Sequence, residues 1–355
     1  MKNLTKLLLP MLIVSVLVSA CKKDPEPKGP EKSLYQKAGV FIVNEGPFSG
    51  TGSIDFLSTS DNQLYRHVFK TQNNGAVLGS IVQSLALFDD KAFVVVNNAG
   101  KVEVATLADF KSAGTITGLA QPRYMVKGDD NRAYVSQWGS DGLSGQVKVV
   151  NVSTLQVEDS VVLGGGPEQL LYTNGKLYVP NSGGFGSDST VAVINTADNS
   201  IAEQLDVPGC PTEIHQSADG TIWVLSAGCF DANWQQGNGH ITKIVGDQVM
   251  ETYEFPHGPL SNLSESPDGA YLFMTGPDGI YRFEKTSGLF DTAPIVSGSF
   301  YGMDIDAQNR LLYASRANPN LDGKAFIYEL DASNVPALKD SLTVGVYPGE
   351  FYFQY

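Results

Sequence analysis

Two neighbouring stretches of this chain can be laid over one another almost from end to end. One starts at Pro122 and reads PRYMVKGDDNRAYVSQWGSDGLSGQVKVVNVSTLQVEDSVVL; the next starts at Pro167 and reads PEQLLYTNGKLYVPNSGGFGSDSTVAVINTADNSIAEQLDV. Each runs through a proline, a short strand pattern, a polar turn and an aromatic-valine strand. A loop, an alternating VxVxN strand, a turn and a last strand follow. A third copy begins at Pro211, and weaker copies align on their second strand near Phe41, Phe93, Leu272 and Tyr313. The second strands recur every ~41 to ~52 residues, the period of a four-stranded propeller blade. No unit can bury its own apolar faces, so stacking is obligatory. Seven units account for residues 37–355, and the expected fold is an all-β, seven-bladed β-propeller of four-stranded antiparallel blades.

The two ends of the repeat array are complementary. The first unit begins at its second strand and lacks an inner one. The chain finishes VYPGEFYFQY, with the proline and alternation of an inner strand. Residues around Gly349 to Tyr355 are therefore expected to pair with Val40 to Val43, closing the ring and removing sheet edges that invite aggregation.

In such a ring, the loop between second and third strands shares a face with the loop from one blade's outer strand to the next inner strand. Both sets are long here, as in NEGPFSGTGS, SQWGSDGLSGQ, SAGCFDANWQQGNGH and SRANPNLDGKA, whereas DDK, TNGK, ADG and PDG on the opposite face are short. Loops longer than the fold requires are where recognition concentrates. The long-loop face carries the candidate ligand-binding residues Phe48, Arg123, Tyr124, Trp138, Phe185, Phe230, Trp234, His257, Tyr301, Arg316 and Tyr347. Aromatic platforms with a few polar groups suit a flat organic ligand, a glycan or a protein partner. Several of these rings serve equally well as covers for the core, and Arg123 serves as well to brace a loop as to hold a ligand's anionic group. Glycine-rich NSGGFGSDS is no phosphate cradle, because a cradle needs a helix behind it and TVAVINT continues as strand.

Catalytic patterns are absent: there is no HExxH, GxSxG or P-loop, and His67, His215, His240 and His257 are scattered. The chain is not expected to be an enzyme or to hold a cofactor or metal. Glu45, Glu168, Glu213 and Glu350 fall where they would ring the channel mouth, either to hold a cation or to cap loops by hydrogen bonds. A net charge of -14, from 24 basic and 38 acidic residues, repels phosphate backbones and argues against nucleic acid as partner.

Lys2 and Lys6 precede the apolar run LLLPMLIVSVLVSA, which is short for a membrane span and fits a signal peptide over residues 1–20. The VSAC that follows resembles the lipobox of bacterial lipoproteins and implies lipidation of Cys21. KKDPEPKGPEKS then reads as a disordered tether over residues 21–36. Lys22 in place of aspartate, within a Lys-Lys-Asp start, resembles export signals. The implied location is the outer membrane, held by the lipid anchor alone and facing the cell exterior, with the periplasmic face as the alternative. Cys210 and Cys229 remain. One precedes an inner strand and the other follows its hairpin partner, so they meet as a disulfide or lie as two buried thiols.

The repeats resemble YVTN-type propellers of the YncE-like superfamily, most closely in KLYVPNS and STVAVINTADNSIAEQLDV. The later units drift, as in YLFMTGPDGIYRFEK, which lacks the Asn and the Asp-Thr turn. The leader followed by FIVNEGPFSGTGSIDFL and QSLALFDDKAFVVVNNAGKVEV is similar to surface lipoproteins that include BtuG-type cobalamin-capturing propellers. That resemblance implies capture of a nutrient such as a corrinoid for a TonB-dependent outer-membrane transporter. A protein- or glycan-interaction scaffold and a lactonase-like hydrolase are the other functions such a fold admits.

Overall fold

Strands that are buried on both faces need apolar side chains at every position, not at alternate ones, and the second strands of the repeats meet that demand. In the computed structural model, which describes residues 32–318 and 321–355, all six residues of Gly39–Asn44 are buried, as are the last five of Lys91–Val96 and of Lys176–Asn181. Burial falls outward. The outer strands Gln156–Val162 and Ser200–Asp206 are almost wholly exposed, and their sequences are correspondingly polar. The expected signal peptide, Cys21 and most of the expected tether fall on residues 1–31, outside the described residues.

Among the described residues the strands form seven antiparallel sheets in a ring. Blade 2 runs Val82–Phe88, Lys91–Val96, Lys101–Thr106 and Ser112–Ile116 from the channel outward, and blades 3 to 5 follow the same order. Blade 1 is composite. Its inner strand is Pro348–Gln354, paired antiparallel to Gly39–Asn44, with Phe41 opposite Tyr352 and Val43 opposite Glu350. The closure expected from the two chain ends is present.

The core is divided into interblade layers. Tyr178 points from blade 4 towards blade 5, where it joins Ile214, Ile222 and Val224; Leu177 and Val179, one residue to either side, point the other way and meet Tyr134, Val147 and Val149 of blade 3. This two-residue alternation between facing sheets repeats around the ring and ends where Val40 and Ile42 meet Tyr313 and Ile327. The short turns on the opposite face take the left-handed backbone they need at Asp89, Asp90 and Asn174.

Two features differ from the expected pattern. Blade 1 has an outer strand of only three residues, Gln63–Tyr65, followed by a short helix, Val68–Gln72. Residues 33–36, placed by composition in the tether, are seated on the ring. Tyr35 is buried with its ring 5.6 Å from Phe56 and 5.4 Å from Phe110, its hydroxyl accepts from Gln72 Nε2 at 3.0 Å, and Ser33 Oγ donates to Leu107 O at 3.1 Å. One buried aromatic outweighs the polar composition around it.

Cys210 and Cys229 are disulfide-bonded, with Cα atoms 5.2 Å apart. The bridge ties the entry of blade 5's inner strand to the loop after its second strand.

Deleting Gly349–Tyr355 should abolish cooperative melting or drive aggregation, read by calorimetry and size-exclusion chromatography. The milder Phe351→Ala should cost ~3–5 kcal/mol, the range for a buried phenylalanine. A truncated chain that melts like the intact one would show that closure does not hold the ring. Replacing both cysteines of the bridge by serine should cost about 3 kcal/mol from the loop-closure term, and an unchanged denaturant midpoint would contradict that.

Candidate functional site

Inner strands begin with a local irregularity. The pairing register shifts between Val82 and Ser84, Pro122 and Met125, Pro211 and Glu213, and Ser261 and Ser264, and on the closing strand where Val43 pairs Glu350 but Asn44 pairs Pro348. Such bulges re-aim side chains. Pro122, Pro211 and Pro348 stand at the first strand position, where a missing N–H costs least. The bulged residues are thereby brought to the long-loop end of the central channel.

There they stitch blade to blade. Ser84 Oγ donates to Arg123 O at 2.7 Å; Arg123 Nε donates to Glu168 Oε2 at 2.9 Å; Ile214 N donates to Gln169 Oε1 at 3.1 Å. Glu213 accepts from the backbone N–H groups of Asn262 and Leu263 at 2.7 and 2.6 Å. Ser264 Oγ donates to Asp304 at 2.7 Å, and Tyr301 hydroxyl donates to Glu45 at 2.8 Å. These links join blades 2 to 7 in turn and blade 7 to blade 1, and at the junction of blades 1 and 2 Val82 N donates to Glu45 O at 3.1 Å.

Inside this girdle lies a cavity of about 390 Å³ whose walls include Glu45, Gln83, Tyr124, Gln169, Glu213, Asn262, Tyr301, Asp304 and Glu350. Burial raises the pKa of all four of its carboxyl groups. Glu350 is pushed to about 8 by burial, reinforced by the charges of Glu213 and Asp304, and the hydroxyls of Tyr352 and Tyr124 oppose the rise. Asp304 rises to about 6, again by burial, against hydrogen bonds from Ser264 and Ile305 N–H. The cavity thus offers amide groups, accepting carboxyl groups and, in Glu350 below about pH 8, a carboxylic acid that can also donate.

The eleven candidate residues fall into separate groups. Tyr124 and Tyr301 line the cavity, and Tyr347 packs on Tyr301 with ring centroids 5.5 Å apart. Arg123 is committed internally: beyond Glu168 it donates to Gln83, and its guanidinium lies 4.4 Å over the Trp138 ring. Trp138 is itself covered edge-on by Phe185 at 5.5 Å, and its indole N–H faces Glu168 without reaching hydrogen-bond geometry. Arg123 therefore braces a blade junction. His257 packs against Phe255 and Tyr281. Phe48, Phe185, Phe230 and Trp234 are free of the core, with exposures of 76%, 70%, 55% and 81%. The last two sit together, 6.4 Å apart, on the loop that the disulfide clamps. Arg316 is exposed and lies over Phe300 and Phe326.

Of the four glutamates at the channel mouth, Glu45, Glu213 and Glu350 line the cavity and Glu168 does not; Glu168, Glu213 and Glu45 also make the hydrogen bonds of caps and braces. Asp304 escaped the sequence reading. Its signal was its register: in GMDID it follows Gly302 by two residues, as Glu350 follows Pro348. Among the described residues no three His, Cys, Asp or Glu side chains group closely enough to hold a metal ion.

A model of a domain of unknown function, DUF5074, matches residues 38–314. The chain belongs to the DUF5074 family. Solved structures similar to this DUF5074 propeller include the periplasmic gluconolactonase of Pseudomonas aeruginosa, with a TM-score of 0.68 at 15% identity, covering 89% of this chain and 98% of that one. A quinoprotein alcohol dehydrogenase-like protein of Bacteroides thetaiotaomicron gives 0.67 at 13% identity, covering 90% and 79%. Hydrazine synthase of Kuenenia stuttgartiensis gives 0.61 at 18% identity, covering 79% and 96%. At such identities these likenesses show the fold alone. No curated protein matches significantly.

The buried acids predict a pH dependence. Glu350 rises from an ordinary 4.5 to about 8 on folding, so the native state binds more protons than the unfolded chain between those values. Stability should fall as pH rises through that window and level off above it. Asp304 adds a decline between 3.8 and about 6. Glu350→Gln should flatten the upper part of the curve and melt above the wild type at pH ~9, where the wild-type carboxylate is charged and buried. Parallel curves from calorimetric melts across that range would show that Glu350 is not the group responsible.

Proposed function

We propose that this chain is a lipid-anchored cell-surface binding protein. It captures a small organic nutrient at the long-loop face and presents it to a TonB-dependent outer-membrane transporter. The observation that carries this reading is the convergence, at one end of the ring, of exposed aromatic rings with a cavity of hydrogen-bonding groups. Tyr301 lines the cavity with Tyr347 packed on it, and Phe48, Phe185, Phe230 and Trp234 are solvent-exposed on the loops of the same face. Rings supply area at low entropic cost and the polar groups supply orientation, the usual division of labour in a small-molecule site.

The raised carboxyl groups favour a neutral ligand face rich in amides or hydroxyls, for which they act as acceptors and donors. A corrinoid, with its flat ring and amide side chains, has that chemistry, and so does a glycan. The lipobox around Cys21 and the likeness of the repeats to BtuG-type propellers of the YncE-like superfamily support the anchored, transporter-linked version of this reading. Binding is favoured over lactone hydrolysis because Glu168 and Glu213 are engaged by protein donors.

Titration calorimetry of the purified protein against cobalamin, haem and oligosaccharides tests the proposal. One of these should bind, and Tyr301→Ala and Tyr347→Ala should each weaken it by ~2 kcal/mol or more if they are central contacts. Cys21→Ser should release the protein from membranes. Failure of every ligand, with a TonB-dependent porin still co-purifying, would replace capture by scaffolding; EDTA-sensitive lactone hydrolysis would replace it by catalysis.

A further inference from the structure

Blade 7 carries an arrangement that the rest of this acidic molecule does not predict. Arg316 and Lys324 are cross-strand partners on its second and third strands, so their side chains share one face of the sheet. Like charges directly opposite one another destabilise a sheet. Among the described residues no carboxylate lies within ion-pair distance of either, although the chain has 38 acidic residues to 24 basic ones and Asp322, close by, pairs with Arg66 instead. Arg316 is nevertheless firmly held. Its guanidinium lies 5.0 Å over Phe300 and 5.1 Å over Phe326, and Gly298 makes room for it: a Cβ on that residue, whose φ is +138°, would lie 2.1 Å from Arg316 Nη2.

A guanidinium carries five N–H donors. Among the described residues the one protein acceptor within reach of Arg316 is Ser297 O, at a long 3.4 Å. A cavity of about 350 Å³ lies beside it, walled by Gly298, Ser299, Phe300, Tyr301 and Arg316. Tyr301 also lines the channel cavity, so one ring separates the two. The geometry points to an anion-binding point: the Arg316–Lys324 edge receives a phosphate or carboxylate group on the ligand that occupies the long-loop face. This rests on the reading of that face as a ligand site and adds the chemical class of one of the ligand's groups. A pre-oriented fork matches two oxygens of either group, the neighbouring lysine adds charge, and Tyr301 and Phe300 offer apolar surface to the body that bears it.

Phenyl phosphate, inorganic phosphate and uncharged benzyl alcohol are titrated into the purified protein at low salt. Phenyl phosphate should bind saturably and be displaced by inorganic phosphate, and benzyl alcohol should not bind. Arg316→Gln should lower the affinity about tenfold or more and Arg316→Lys by less, as expected for losing hydrogen bonds to a charged group. Lys324→Gln, which disturbs no stacking, should weaken phosphate severalfold while raising the melting temperature, because it removes the like-charge pair. No saturable binding of phenyl phosphate up to about 20 mM, equal binding of benzyl alcohol, or wild-type affinity in both the glutamine variants would overturn the proposal. If an organic ligand is lost in Tyr301→Ala but kept in Arg316→Gln, ligand capture stands and the anion point fails.

Discussion

Everything in this molecule depends on one antiparallel contact between residues more than three hundred positions apart. Each blade is apolar on both faces and stable only between two others. A row of seven would leave two such faces and two edges open to solvent. Pairing of Gly39–Asn44 with Pro348–Gln354 turns the row into a ring. The junction is reinforced from several sides. Asp55, fully buried, accepts from Gly345 N at 3.2 Å and from His67 N at 2.8 Å; Arg66 reaches Asp322 at 2.9 Å; Glu45 N donates to Tyr347 O at 2.9 Å. Long-range contacts are formed late and at high entropic cost, which explains why so many side chains converge on this seam.

Closure also creates the channel and with it a physical conflict. Seven inner strands crowd their first residues into one place, and the bulges turn polar side chains inward. Buried polar groups are costly unless paired, so most are paired, each to the next blade. Arg123 with Glu168, and Glu213 on two backbone N–H groups, are structural solutions to that demand. Glu350 and Asp304 are buried deeply enough that the loss of water raises both their pKa values, against the hydrogen bonds each accepts. A group held neutral in a cavity at the mouth of a channel is a hydrogen-bonding resource, and it exists because closure brings more polar side chains together than the blades can pair.

Much of the fold was legible because it is written in period. The aromatic-valine second strands and the short turns with Asp, Asn and Gly reflect local rules that recur around the ring, and the missing inner strand and the paired cysteines could be located against that repeat. What stayed illegible was aperiodic. Tyr35 sits in a charged, proline-rich context, yet it packs on Phe56 and Phe110 through a contact that no local pattern encodes. For Arg123 and Trp138 the sequence left recognition and bracing both open, and the pairing of the two, with the guanidinium 4.4 Å over the indole, was not legible in either. Asp304 was hidden because GMDID lacks the proline that marks the inner strands of other blades. Phe48, Phe185, Phe230 and Trp234 read correctly as exposed, because long glycine-rich loops give a ring little to pack against.

The distribution of charge on the long-loop face sharpens what such a surface selects. The channel cavity holds four carboxyl groups whose pKa values are raised by burial, and an anion entering beside them would meet those that are charged and add to the cost of charging the rest. Anionic groups are therefore disfavoured at the centre. At the edge of blade 7, one ring away, Arg316 and Lys324 have no acidic partner among the described residues. A ligand satisfying both regions presents neutral donors and acceptors to the channel and a single negative group to the rim, with Tyr301 between them. Such a pair of opposed preferences fixes orientation more strongly than either does alone: reversing the ligand would bring its anion to the acids and leave the cations without a partner.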